Sequence, residues 1–123
     1  MSLSDSLRGL FAKPYEQIQA LEAISRIDAG ALLIDVHEPQ EWQAGHAQGA
    51  RHIPLAQLGQ RQRELPVGRP VIAVCRSGVR SARAASLLAE QGREVSNLRG
   101  GMRAWVAGGL PVVANGGRPG SVI

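Results

Sequence analysis

The sequence predicts an α/β domain, a mostly parallel central sheet flanked by helices on both faces. Three observations carry that prediction. Short apolar runs over 31–36 and 71–75 are continuous rather than alternating, as strands covered on both sides require. Stretches with helical spacing separate these runs. Glycine or proline stands at most junctions, at Gly30, Pro39, Pro54, Pro66, Pro70 and Gly92.

Each element follows in order. Residues 1–13 read as a loosely held arm, in which Leu7, Leu10 and Phe11 have a weak helical spacing. Residues 14–113 form the domain. It opens with an edge strand over 15–20 and a helix over 21–29. That helix carries Ala20, Ile24 and Ile27 on one side and stops at Gly30. The run 31–36 is too short for a helix between Gly30 and Pro39, so it is a buried strand. Pro39 opens a short helix through Trp42 and Gln43. A brief strand over 51–53 is cut by Pro54, and a polar helix covers 55–65. After the turn 66–70 comes the strand 71–75, then a helix over 81–91. Its Ala82, Ala85, Leu88 and Ala89 share a face, and Gly92 stops it. A strand over 94–98 and a short helix over 102–107 complete the domain, and the Gly- and Pro-rich residues 114–123 read as a mobile tail.

Composition narrows the function. The 123 residues suffice for one domain with a real core. The single cysteine cannot form an internal disulfide, which fits a reducing, cytoplasmic setting. No apolar run is long enough for a membrane span, and the N-terminus lacks the pattern of a secretory leader. Lys and Arg number 14 against 10 Asp and Glu. Lys13 is the only lysine, and Arg76, Arg80, Arg83, Arg93, Arg99 and Arg103 cluster from the cysteine onward. A shared basic face would attract anions. No aromatic residues interleave these arginines and no reader motif appears, which argues against nucleic acid. His37, His46 and His52 lack metal-ligand spacing, so neither a metal nor another cofactor is expected.

Cys75 ends the apolar strand and opens the turn Arg76-Ser77-Gly78-Val79-Arg80-Ser81, directly before an alanine-rich helix. Successive backbone N–H groups in such a turn can converge on one atom, and a helix start adds partial positive charge. A buried structural cysteine is the plain alternative. The flanking arginines and the glycine weigh against it, because a packed core site has no use for them.

Three segments together resemble the rhodanese family of sulfurtransferases. Cys75 to Ser81, CRSGVRS, looks like its active-site loop. Leu33 to Trp42, LIDVHEPQEW, resembles LIDVREPxEY, and Ala44 to Leu55, AGHAQGARHIPL, is similar to AGHIPGAxxIPL. Leu98 to Trp105, LRGGMRAW, with the following Gly109-Leu110-Pro111-Val112, is like LxGGxxAWxxxGxPV. The segments stand in the family's order. His37 departs from the usual Arg, and Ala47-Gln48 replaces Ile-Pro.

The resemblance implies a rhodanese-like domain that moves a sulfane sulfur from a donor such as thiosulfate to cyanide or a thiol, through a persulfide on Cys75. The loop amides would cradle the outer sulfur. Arg76 and Arg80 would hold the donor's oxygens with fork-shaped donors. Gly78 permits the turn, Val79 lies within it, and Ser77 and Ser81 offer hydroxyls, with Ser81 read first as a helix N-cap. Two other functions stay open. The domain could be a persulfide carrier or interaction module in a sulfur relay with a partner protein. It could also be a phosphatase or arsenate reductase on the same fold, but those phosphatases use Cys-x5-Arg, whereas Cys75 to Arg80 is Cys-x4-Arg.

Supporting residues are read more plainly. Asp35 ends a strand on the same rim as Cys75 and reads as an acid fixing a loop rather than a catalyst. Arg51 faces either the pocket or solvent. His46 reads as structural, Trp42 and Trp105 as packing, and Glu38 and Glu41 as acids welcome at a helix start.

Overall fold

The run Val71-Ile72-Ala73-Val74 becomes the middle of a five-stranded sheet and is buried at every residue. The computed structural model describes residues 14–123, so the arm expected over 1–13 lies outside the described residues. The strands are β1 (Glu16–Ile18), β2 (Leu32–Asp35), β3 (Arg51–His52), β4 (Val71–Val74) and β5 (Val95–Leu98). Their order is β1-β5-β4-β2-β3, and every neighbouring pair is parallel. The register sets Leu32 beside Val71 and Asp35 beside Val74. Asp35 and Cys75 therefore share the carboxyl rim of the sheet, where parallel α/β folds place their sites.

Helices α1 (Ala20–Asp28), α2 (Pro39–Ala44), α3 (Leu55–Arg61), α4 (Val79–Glu90) and α5 (Gly101–Ala107) connect the strands. Strand alternation divides the core. Ile34, Ala73 and Cys75 face Leu58 of α3 and Ala84, Ala85 and Leu88 of α4. Leu33, Ile72 and Val74 face Ala23 of α1 and Met102 and Trp105 of α5. The two clusters lie on opposite sides of β4 because successive strand residues point in opposite directions.

Several expected boundaries move, each for a local reason. Helix α4 starts at Val79 rather than 81, because Gly78 takes φ 99° as its N-cap and turns the chain into the helix at once. Its buried stripe is Ser81, Ala84, Ala85 and Leu88, not the expected Ala82, Ala85, Leu88 and Ala89. The helix expected over 55–65 ends at Arg61 and tightens into a 3-10 turn over Gln62–Glu64, which carries Leu65 into the core.

The expected mobile tail instead returns to the domain. Val113 bridges to His46 and to Pro119, and the Ser121 N–H donates to the Ala44 carbonyl at 2.9 Å. Val122 packs against the second core cluster, which gives an otherwise exposed apolar side chain its cover. Among the described residues, no helix is long and apolar enough to cross a membrane.

Candidate active site

Beyond Val74 the chain leaves the sheet at Cys75 and turns through Arg76, Ser77 and Gly78 into α4. This short path bends the first turn of α4 back over the sulfur. Cys75 Sγ accepts the Gly78 N–H at 3.1 Å, the Ser81 N–H at 3.3 Å and the Ser81 hydroxyl at 3.3 Å. Cys75 is only 1% exposed. Three donors aimed at one buried sulfur stabilise negative charge on it, and the start of a 12-residue helix adds to their field.

Three carbonyls of the turn, those of Cys75, Arg76 and Gly78, have hydrogen-bond partners. The Cys75 carbonyl accepts the Met102 N–H at 2.8 Å and the Arg76 carbonyl accepts the Arg103 N–H at 3.1 Å. Asn97 Nδ2 donates to the Gly78 carbonyl at 3.1 Å. The first turn of α5 thus clamps the base of the loop. Gly101 makes this approach possible. It sits at φ 59°, and a Cβ there would run into the carbonyls of Cys75 and Arg76.

Arg80 is engaged by Glu41 of α2. Its Nη1 and Nη2 donate to Glu41 Oε1 and Oε2 at 2.6 and 2.9 Å. Glu41 Oε1 also accepts the Glu38 N–H at 3.0 Å, completing a capping box at the start of α2. The Arg80 guanidinium, seconded by that N–H, holds the Glu41 carboxyl at about 2 against the cost of burial. The pair ties the loop to α2, and it gives Glu41 a second partner beyond the helix-start role read from sequence.

The other sequence-predicted residues separate. Ser81 lies within the first turn of α4, and its hydroxyl faces Cys75 rather than capping the helix. Ser77 and Val79 are exposed on the lip of the loop. Arg76 Nε is buried without a hydrogen-bond partner among the described residues. Arg51 turns to Glu64, donating to its carbonyl and carboxylate at 3.1 and 3.2 Å. Asp35 is fully buried, and its Oδ1 accepts the His37 N–H at 2.9 Å, fixing the backbone after β2. His37 is buried too, its Nδ1 2.8 Å from the same oxygen without hydrogen-bond alignment. The His37 carbonyl accepts His52 Nε2 at 2.7 Å, and the rings of His46 and His52 stack on Trp42. Among the described residues no three His, Cys, Asp or Glu side chains gather as a metal site would need.

Sequence reasoning missed Asn97 and the pairing role of Glu41. A polar residue inside the buried strand β5 was the available signal for Asn97. Nothing local links Glu41 to Arg80, 39 positions away.

A parallel sheet that delivers a cysteine from its central strand to two inward amides and a hydroxyl at the start of a helix defines a domain of the rhodanese type. The chain belongs to the rhodanese-like domain family, whose family model matches residues 19–108. It is 50% identical over 76 residues to the uncharacterized protein YqhL of Bacillus subtilis, 61% of this chain and 60% of that protein. It is 43% identical to a sulfurtransferase of Allochromatium vinosum, over 68% of this chain and 78% of that one. The thiosulfate sulfurtransferase GlpE of Vibrio cholerae is 35% identical over 69% of this chain and 81% of its own length. A crystal structure of a rhodanese-related protein from Thermoplasma volcanium matches with TM-score 0.76 and 29% identity, over 80% of this chain and 98% of that one.

Proposed function

We propose that this domain is a sulfurtransferase that carries sulfur as a persulfide on Cys75. The supporting observation is the convergence of the Gly78 and Ser81 donors on Cys75 Sγ. Sulfurtransferases at 43% and 35% identity support the same reaction class. With thiosulfate as donor, Cys75 sulfur attacks the terminal sulfane sulfur. An S–S bond forms, the bond to the sulfonate sulfur breaks, and sulfite leaves with the electron pair. Cyanide or a thiol then attacks the outer sulfur, and Cys75 departs as thiolate. The two half-reactions predict ping-pong kinetics. The same donors stabilise the thiolate at the start and at the end.

Burial of Sγ suits a donor that presents a slim terminal atom. A phosphate ester would have to bring a bulky tetrahedral centre to the same sulfur. The spacing Cys-x4-Arg, with Arg80 engaged by Glu41, gives a phosphate dianion little charge to replace its water. Sulfur transfer is therefore preferred over the phosphatase and arsenate-reductase reading. A lone thiol kept reduced is consistent with the cytoplasm as the compartment. Mass spectrometry after thiosulfate treatment tests the proposal. A gain of one sulfur on Cys75, removed by cyanide, is expected; an unmodified protein overturns it.

A further inference from the structure

The arginines of this domain fall into two groups. Arg26 is neutralised by Glu16 and Glu22, and Arg51 and Arg61 share Glu64. Arg69 and Arg93 donate to backbone carbonyls, and Arg80 is held by Glu41. Arg76, Arg83, Arg99 and Arg103 have no side-chain hydrogen bond or carboxylate partner among the described residues, a condition otherwise found at Arg63 and Arg118. These four stand on the segments around Cys75. Arg76 follows it, Arg83 is in the first half of α4, Arg99 precedes α5 and Arg103 lies within it.

Of the described carboxylates without an ion pair, Glu38 lines a cleft at the Cys75 rim with Arg80 and Arg83, while Asp28, Glu90 and Glu94 stand at the opposite end of the sheet. Two are the last residues of α1 and α4, and the third precedes β5. Charge is thus sorted along the strand direction, positive at the Cys75 rim. Such a field steers anions to the rim.

A small anion, however, needs no apolar surface. Among the described residues five large apolar side chains are exposed, and three of them, Leu21 at 74%, Val79 at 70% and Val106 at 48%, stand among these arginines. Leu21 lines a cleft of about 390 Å³ with Arg99. Val106 lines a groove of about 510 Å³ with Arg103, and Val79 precedes Arg83 by one helical turn. Apolar side chains set among unpaired charges mark a protein-contact surface rather than a steering field. Residues 75–83 and 98–103 offer no aromatic ring on which a base could stack, which disfavours nucleic acid.

We propose that this face docks an acidic protein presenting an exposed cysteine, and that this protein takes the sulfur from Cys75. The inference rests on the persulfide reading above. The partner's thiol attacks the outer sulfur of the Cys75 persulfide anion and a new S–S bond forms. The Cys75–sulfur bond breaks, Cys75 leaves as thiolate, and the thiol proton remains on the partner's persulfide. The carboxylates of the partner would face Arg83, Arg99 and Arg103, and an apolar side chain would enter beside Leu21 or Val106.

The test uses fluorescent peptides bearing one cysteine and one isoleucine among glutamates, with a matched lysine version and serine-for-cysteine forms of each. At low salt the acidic serine peptide is expected to bind the domain at least tenfold tighter than the lysine one. That preference should fade as salt screens the charges. The double variant Arg99→Glu, Arg103→Glu should lose at least tenfold in acidic-peptide binding while kcat at saturating thiosulfate and cyanide stays within about twofold. Leu21→Ser should weaken binding without changing its salt dependence. Equal binding of the two peptides, unimpaired binding by the double variant, or tighter binding of a single-stranded oligonucleotide of equal charge overturns the proposal. Sulfur gain on Cys75 is read separately, so a domain that binds the acidic peptide but never loads sulfur would overturn the persulfide reading and leave the docking face standing.

Discussion

Arg80 and Glu41 meet in a two-pronged ion pair at 2.6 and 2.9 Å, joining the start of α4 to α2 across 39 positions of sequence. The charge that the sequence assigns to substrate is therefore engaged before any substrate arrives. A donor must either exchange places with Glu41 or be held by the loop amides and the neighbouring Arg76. This relationship separates two variants that would otherwise look alike. Glu41→Gln frees Arg80 and should lower the KM for thiosulfate. Arg80→Ala removes the charge and should raise it. Steady-state kinetics of the two side by side check this, and equal shifts in one direction would show that Arg80 acts only through folding.

The same pair sets a pH dependence of stability. Glu41 titrates at about 2 in the folded domain against an ordinary 4.5. A carboxylate with a depressed pKa contributes stability that is present above its unfolded value and is lost as pH falls through the folded one. Stability should decline between about pH 4.5 and 2 in the parent, and less steeply in Glu41→Gln. At neutral pH the variant should lose about 1 kcal/mol, since charged hydrogen bonds contribute about 1.5–3 kcal/mol and the partly exposed Arg80 reduces that figure. Urea unfolding across this pH range measures both effects.

Cys75→Ser should abolish sulfur transfer with the fold retained, because the hydroxyl fits the same space and keeps the three donors. Turnover and circular dichroism check the two halves. Measurable turnover in this variant would mean that sulfur does not pass through Cys75.

Ser81→Ala should be mild by comparison. It removes one of three donors to Sγ and leaves both backbone amides. A loss of about 0.5–1.5 kcal/mol corresponds to a roughly threefold to tenfold drop in kcat/KM. Stability should barely change, which thermal unfolding would confirm.

Gly101→Ala should fail more broadly. The methyl group would strike the carbonyls of Cys75 and Arg76, and alanine at φ 59° is strained in itself. We expect a loss of about 2–4 kcal/mol, from overpacking and backbone strain together. Chemical denaturation measures it, and loss of activity should accompany it even where the domain remains folded.

How much of this was legible in the sequence depended on range. Strands β2 and β4 were readable to within two residues because unbroken apolar runs and flanking Gly and Pro are local signals. So was the arrival of Cys75 at a strand end. The start of α4 was misread by two residues, because Gly78 turns the chain into the helix at φ 99° and no spacing of side chains reports that dihedral. The ion pair of Glu41 with Arg80, the contact of Asn97 with the loop, and the docking of residues 113–122 all join distant segments. No spacing rule within a window reports them. His37 shows the same limit: its burial beside Asp35 follows from the sheet register, not from its neighbours.

The clamp of α5 on the loop also limits how the loop can be lengthened. Because the carbonyls of Cys75 and Arg76 are fixed to Met102 and Arg103, and Gly78 is fixed to Asn97, Ser77 is the one residue of the turn outside these contacts. Any change in ring size during divergence would have to enter at that single link or else dismantle three contacts at once. The width of the cup behaves, in this sense, as a digital trait with few permitted settings. A domain of this kind would change chemistry by a discrete jump of one peptide unit, while its reactivity toward different sulfur donors drifts gradually through the side chains on the lip.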